Sequence, residues 1–133
     1  MDTLDALTDR HAAAEVMIRY GSSLDERDWQ RLSTCFLPEV TSLLAGGPAM
    51  TSYVELEEAV RFALGNYQAT HHHIAGVEVD IEGDTARLRA NLIATHIQEG
   101  PSFVVGGVYR ERLVRTEDGW RIVHHQLDAI WMG

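Results

Sequence analysis

"DTARLRANLIATH", residues 84–96, alternates more strictly than any other stretch of the chain. Ala86, Leu88, Ala90, Leu92, Ala94 and His96 fall on one face, while Arg87, Arg89, Asn91 and Thr95 fall on the other. Successive side chains of an extended strand point to opposite faces, so the pattern predicts a strand with one face in the core and one in solvent. It also puts the His96 imidazole on the buried face. Working backward, Val77, Val79 and Ile81 alternate with Glu78, Asp80 and Glu82, and Glu82-Gly83-Asp84 reads as a tight hairpin turn. Working forward, "EGPS" (99–102) turns into a strand from Phe103 to Arg115, and "TEDG" (116–119) turns into a last strand from Trp120 to Trp131. Gly76, Gly106 and Gly107 lie inside these strands, where bulges or bends would curve the sheet.

The first half reads mainly as helix. From Thr8 as a candidate N-cap, Ala12, Val16, Tyr20 and Leu24 recur every four residues, and Gly21-Ser22-Ser23 weakens the last turn. A second helix is expected from about Arg27 to Phe36, with Pro38 marking its end. "VTSLLAGG" (40–47) suits a short strand, and Ser52 caps a third helix through "YVELEEAVRFALGNY" (53–67). Three helices followed by a meander predict one α+β domain over residues 1–133, with the helices packed on one face of a curved, mainly antiparallel sheet that encloses a pocket.

Composition narrows the partners. The 133 residues are 45% hydrophobic and 23% charged, which is globular composition. Eleven basic residues against 20 acidic ones give a formal charge of −9, which argues against nucleic acid and against an anionic membrane surface. The acidic start "MDTLDALTDRH" lacks a secretory pattern, so a cytoplasmic location is expected. The single cysteine, Cys35, reads as a small core residue.

Seven histidines invite a functional question. In "ATHHHIAG" (69–76), plain alternation back from Val77 turns His73 inward. A bulge at Gly76 would instead turn His72 and Ile74 inward and leave His71 and His73 in solvent. His125 shares a face with Val123, Leu127, Ala129 and Trp131, so His72, His96 and His125 are the inward candidates. Their spacing matches no helix-borne or Cys/His metal pattern, and no metal is expected. An acid–base role asks for less. Asp25, in "SSLDERDW", offers a carboxylate that either points into the pocket or caps the second helix, with Asp28 completing a capping-box-like pair. Tyr20 lies just over a turn earlier.

The runs "IRYGSSLDERDWQRLSTCFLPEV", "THHHIAGVEVDIEGDTARLRANLIATH" and "GGVYRERLVRTEDGWRIVHHQLDAIWMG" together resemble the SnoaL-like branch of the NTF2-like superfamily over nearly the whole chain. The resemblance implies a cone-shaped α+β fold and cofactor-free proton transfer in an apolar cavity, as in the dehydratases, dehydrochlorinase, cyclases and isomerases of that group. It places Asp25 at the family's pocket aspartate, His72 at its first histidine and His96 at the second histidine of scytalone dehydratase. The pattern also departs from its members. Leu24 stands where scytalone dehydratase has a tyrosine, Arg110 stands near its asparagine, and Tyr20 and His125 stand where the dehydrochlorinase has lysine and arginine. The two relatives disagree on whether the aspartate orients His72 or His96.

The resulting expectation is a cofactor-independent dehydratase acting on a small, largely apolar carbonyl compound. Asp25, His72 and His96 would be its catalytic groups, and Tyr20, Tyr109, Arg110, His125 and Trp131 would contact substrate. A cyclase or isomerase begins with the same proton transfer, and a ligand-binding module without catalysis is the rival from another class. Phe103, Val105, Tyr109, Leu113, Trp120 and Ile122 supply apolar material for both sheet faces, so a homo-oligomer, dimer or trimer, is expected.

Overall fold

Alternation in residues 85–97 is realised almost without exception. In the computed structural model, which describes residues 3–133, Ala86, Leu88, Ala90, Leu92 and Ala94 are all buried and the residues between them face outward. This strand, β3 (Thr85–Ile97), pairs antiparallel with β2 (Ala69–Glu82) through the expected hairpin at Gly83 and with β4 (Phe103–Thr116) on its other side. The last strand, β5 (Gly119–Met132), pairs antiparallel with β4, and β1 (Phe36–Leu44) adds to β5 in parallel. The sheet order is therefore β1-β5-β4-β3-β2. The long helix α1 (Thr3–Glu26) lies against β2 and β5, the short α2 (Trp29–Ser33) follows it, and α3 (Tyr53–Leu64) lies against β1. The α+β architecture is the one expected, with the core between the helices and one sheet face.

The helices depart from expectation in ways that position the site. Helix α1 starts at Thr3, so Thr8 is inside it rather than its cap. It also runs unbroken through Gly21-Ser22-Ser23, because a tertiary contact replaces the missing propensity. A Cβ at Gly21 would sit 3.0 Å from Ile74 Cδ1 and 3.6 Å from the His72 carbonyl oxygen, so glycine lets the helix approach β2 closely. Helix α1 ends at Glu26, and Arg27 just after it adopts a left-handed φ of 57°. Helix α2 is only five residues long, and Asp28 is its N-cap, accepting the Arg31 N–H at 3.0 Å. Phe36 opens β1 instead of closing a helix. Pro38 is tolerated because β1 is an edge strand. Ser52 caps α3 as predicted, accepting from Glu55 N–H at 3.2 Å.

Bulges decide which side chains enter the core. Gly76, at φ 61°, sits where the β2–β3 register shifts, and beyond it His72 and Ile74 turn inward, as expected for a bulge. Two further shifts lie in the β4–β5 ladder: Leu113 pairs with Ile122 but Arg112 with His124, and Gly107 pairs with Ala129 but Gly106 with Trp131. Val123 and Ile130 are the extra residues. The face expected to join Val123, His125, Leu127, Ala129 and Trp131 is thus split. His125 is buried beside Ile122 and Trp120, while Trp131 crosses to the outer face, its ring covering Gly106.

The apolar set expected to serve both faces serves one. Val105, Tyr109, Leu113, Trp120 and Ile122 all lie in the core beneath the helices, and Phe103 packs against it. The outer face carries Glu78, Asp80, Arg87, Arg89, Arg110 and Arg112, with Ile93, Ile97 and Trp131 as exposed apolar residues. Cys35 is buried, as expected. Among the described residues no helix is long and apolar enough to cross a membrane.

Candidate active site

The open end of the core is a cavity of about 360 Å³. Its walls are apolar: Leu24 from α1, Leu44, Pro48 and Met50 from β1 and its following loop, Val60 and Leu64 from α3, and Leu92, Val105 and Leu127 from the sheet. Four polar side chains reach it, His72, His96, Tyr20 and Tyr109. A few convergent polar groups in an apolar pocket is the usual composition of a small-molecule site. A broader hollow of about 760 Å³ lies among the charged side chains of the outer face, and none of these four residues reaches it.

Asp25 settles the first open question. Asp28 caps α2, which leaves Asp25 free, and the close approach at Gly21 one turn earlier brings its carboxylate onto β2. Oδ1 accepts the His72 ring at Nδ1, 2.6 Å away, and Oδ2 accepts the His72 backbone N–H at 2.8 Å. The Thr70 hydroxyl donates to Oδ1 at 3.2 Å and in turn accepts from the Arg27 guanidinium at 2.9 Å. Burial works to raise the Asp25 pKa, but the His72 ring and backbone hydrogen bonds, the ring's charge and Thr70 outweigh it and hold the carboxyl below its ordinary value. An ionised carboxylate on Nδ1 puts the ring proton there and leaves Nε2 as the basic nitrogen. The aspartate therefore orients His72, not His96.

His96 enters the cavity from the next strand. Phe103 stacks on its ring at 4.4 Å between centroids and Tyr67 meets it edge-on at 4.8 Å. Its Nδ1 is buried and has no protein partner. Burial pulls its pKa down, so the ring is neutral at neutral pH.

Tyr20 and Tyr109 meet at the floor, their hydroxyl oxygens 3.3 Å apart. Behind them is a residue that strand parity could have revealed. Glu111 shares the inward phase of Tyr109 and Leu113, and it is fully buried against His125, whose Nδ1 lies 2.7 Å from both carboxylate oxygens. His125 Nε2 reaches the Tyr20 hydroxyl at 3.1 Å. His125 was expected to contact substrate. It lies behind Tyr20 instead and does not line the cavity.

Two other residues expected to contact substrate lie outside the cavity. Arg110 is on the outer face, paired with Asp128 at 3.1 Å, because strand alternation sends it opposite to Tyr109. Trp131 is likewise outward, and Met132 takes its place in the cavity wall. Among the described residues no group of three or more His, Cys, Asp or Glu side chains is arranged to hold a metal ion.

The model of the SnoaL-like domain matches residues 5–126. The chain belongs to the SnoaL-like family. Among solved structures, the Kfla4162 protein of Kribbella flavida is 31% identical, with 96% of this chain and 95% of that one covered and a TM-score of 0.89. A provisionally named scytalone dehydratase of Novosphingobium aromaticivorans superposes at a TM-score of 0.91 over 99% of this chain and 91% of that one, at 19% identity, a likeness of fold alone. The uncharacterised protein Rv2910c of Mycobacterium tuberculosis is 28% identical over 121 residues, 88% of this SnoaL-like chain and 82% of its own.

Proposed function

We propose that this SnoaL-like domain is a cofactor-independent acid–base enzyme, a dehydratase acting on a small, largely apolar carbonyl compound. The observation that carries the reading is the 2.6 Å contact between Asp25 and His72 at the wall of an apolar cavity. Small size follows from the roughly 360 Å³ available, and apolar character follows from the aliphatic walls. The provisional dehydratase name of the Novosphingobium aromaticivorans neighbour agrees with this chemistry.

In this mechanism His72 Nε2 removes the proton from the carbon next to the carbonyl. Asp25 stabilises the imidazolium that forms, and low water access strengthens that interaction. The Tyr20–Tyr109 pair donates a hydrogen bond to the oxygen on which negative charge gathers. A neutral His96 is a weak acid, so the proton returned to the departing hydroxyl comes from the His72 imidazolium itself, and His96 holds the leaving oxygen through a hydrogen bond. A cyclase or isomerase would share the first step and differ in where the electrons go next.

The test is proton transfer itself. Small β-hydroxyketones are incubated with the protein in deuterium oxide, and exchange at the α carbon and loss of water are followed by NMR. Exchange that disappears in both Asp25→Asn and His72→Ala supports the enzyme reading, and exchange without water loss favours an isomerase or cyclase. If a bound ketone shows no exchange, the cavity is a ligand-binding module and the proposal is wrong.

A further inference from the structure

The sealed pair beneath the cavity floor does more than fill the core. Two protein contacts run along the floor, His125 Nε2 to the Tyr20 hydroxyl at 3.1 Å and Tyr20 to the Tyr109 hydroxyl at 3.3 Å. Each needs one hydrogen. If His125 carries its only ring proton on Nδ1, then Tyr20 must donate to Nε2 and Tyr109 must donate to Tyr20. Both hydroxyl hydrogens are then consumed and none is left for a ligand. If Nε2 carries a hydrogen, three hydrogens serve two contacts, and one hydroxyl donates into the cavity. Tyr20 and Tyr109 are neutral in either case, since burial raises both phenol pKa values.

The surroundings of the pair choose between these arrangements. Glu111 and His125 have no exposed side-chain surface. Around them stand Tyr20 from α1, Phe36 from β1 at 5.4 Å from the imidazole ring and Tyr109 from β4, and Ser42 of β1 is paired across from His125. A lone negative charge in such a place is strongly disfavoured, whereas a pair that shares one additional proton is neutral overall. Burial raises the Glu111 pKa in keeping with this. Whether the additional proton rests on the carboxyl or on the ring, the Nδ1–carboxyl contact takes one hydrogen and Nε2 keeps another.

We propose that Glu111 and His125 are positioning residues that hold a hydrogen on His125 Nε2, so that the Tyr20–Tyr109 pair donates into the cavity and forms a subsite for a ligand oxygen bearing negative charge, an enolate or phenolate. The proposal rests on the acid–base reading only for the identity of the oxygen as reacting. The subsite itself can be examined without turnover.

Ring nitrogens of His125 are resolved by long-range nitrogen–proton NMR on the uniformly labelled, full-length protein. A directly protonated Nε2 is expected, and an unprotonated Nε2 with a protonated Nδ1 overturns the proposal without any variant having to fold. Ligand binding is then read with 4-nitrophenol, whose phenolate absorbance reports the ionised form. The unsubstituted protein is expected to bind the phenolate, and His125→Phe to bind it on the order of 10-fold more weakly. Glu111→Gln is expected to retain binding, because its amide can donate to Nδ1 and so keep the hydrogen on Nε2. Absence of phenolate binding to the unsubstituted protein, or equal binding by folded His125→Phe, overturns the subsite. Phenolate binding by an unsubstituted protein that shows no α-carbon exchange supports the subsite and counts against the acid–base reading alone.

Discussion

Two carboxylate–imidazole pairs sit on the same side of this sheet, and they differ chiefly in access. In Asp25–His72 the side chains are 17% and 7% exposed and the ring lines the cavity, whereas Glu111–His125 is completely sealed. Asp25 has backbone and hydroxyl donors besides the ring, so its charge is satisfied and its pKa falls. Glu111 is dominated by burial and its pKa rises. The same two functional groups therefore do different work. One keeps an anion that can stabilise a transient cation, and the other resists any net charge and so fixes where hydrogens point.

The comparison is broken first by removing the carboxylates one at a time. Asp25→Asn leaves the site packed but favours the wrong ring tautomer, and α-carbon exchange is expected to fall by about 10²- to 10⁴-fold, with a lowered urea midpoint at neutral pH from the lost carboxylate contribution. Glu111→Ala strips a buried partner from His125, and urea unfolding should show a loss of about 3–5 kcal/mol.

Acid titration sharpens the contrast, because the two pairs have opposite signs. The depressed carboxyl of Asp25 contributes stability that is full above its ordinary pKa of 3.8 and is lost as pH falls through its lower folded value. Glu111, with its pKa raised from 4.5, contributes the reverse: its term is present below that value and is lost as pH rises through the folded one. Unfolding midpoints measured across pH should show a shallower acid limb in Asp25→Asn and a smaller decline on the rising side in Glu111→Gln. If both variants shift the same limb, the distinction between the pairs is wrong.

Smaller effects test the supports. Thr70→Val removes one hydroxyl donor from Asp25 and its link to Arg27, and should cost about 0.5–1.5 kcal/mol in urea unfolding, with exchange reduced severalfold at most. His71→Ala and His73→Ala change neighbours of His72 whose rings lie 5.4 Å apart on the opposite strand face. Exchange rate and stability should both stay within about 0.5 kcal/mol of the parent.

Strand parity carried much of this site from the sequence. His96 followed from a strand with no interruption, and His72 followed once Gly76 was taken as a bulge. Asp25 stayed divided between capping and catalysis because either use suits a carboxylate at a helix junction. The placement of Asp28 on Arg31 N–H gives the cap to Asp28 and leaves Asp25 to its contacts with His72. The failures at Arg110 and Trp131 have different physical origins. Arg110 was legible as an outward residue from its own strand and was placed by resemblance instead. Trp131 was not, because the bulges at Val123 and Ile130 arise from how β5 meets β4, and β5 itself holds no glycine within that stretch to announce them. Glu111 was visible as a charge in the inward phase of β4, and its partner could be found only by folding β5 beside it.

The cavity wall divides by origin. All four polar groups come from α1 and the sheet, whereas α3 and the segment after β1 contribute only Ala45, Gly47, Pro48, Met50, Ala59, Val60, Ala63 and Leu64. The backbone of the segment after β1 is tied down by Ser42–Met50 hydrogen bonds at 2.9 and 3.0 Å and by Ala45 N–H to the Leu127 carbonyl at 2.8 Å. Those bonds use no side chain, so exchange at Ala45 or Pro48 leaves them in place, whereas Met50, Val60 and Leu64 also pack in the core. The shape of what fits on this side of the cavity can therefore be redrawn at those few positions while Tyr20, His72, His96 and Tyr109, held on α1 and the sheet, keep their places.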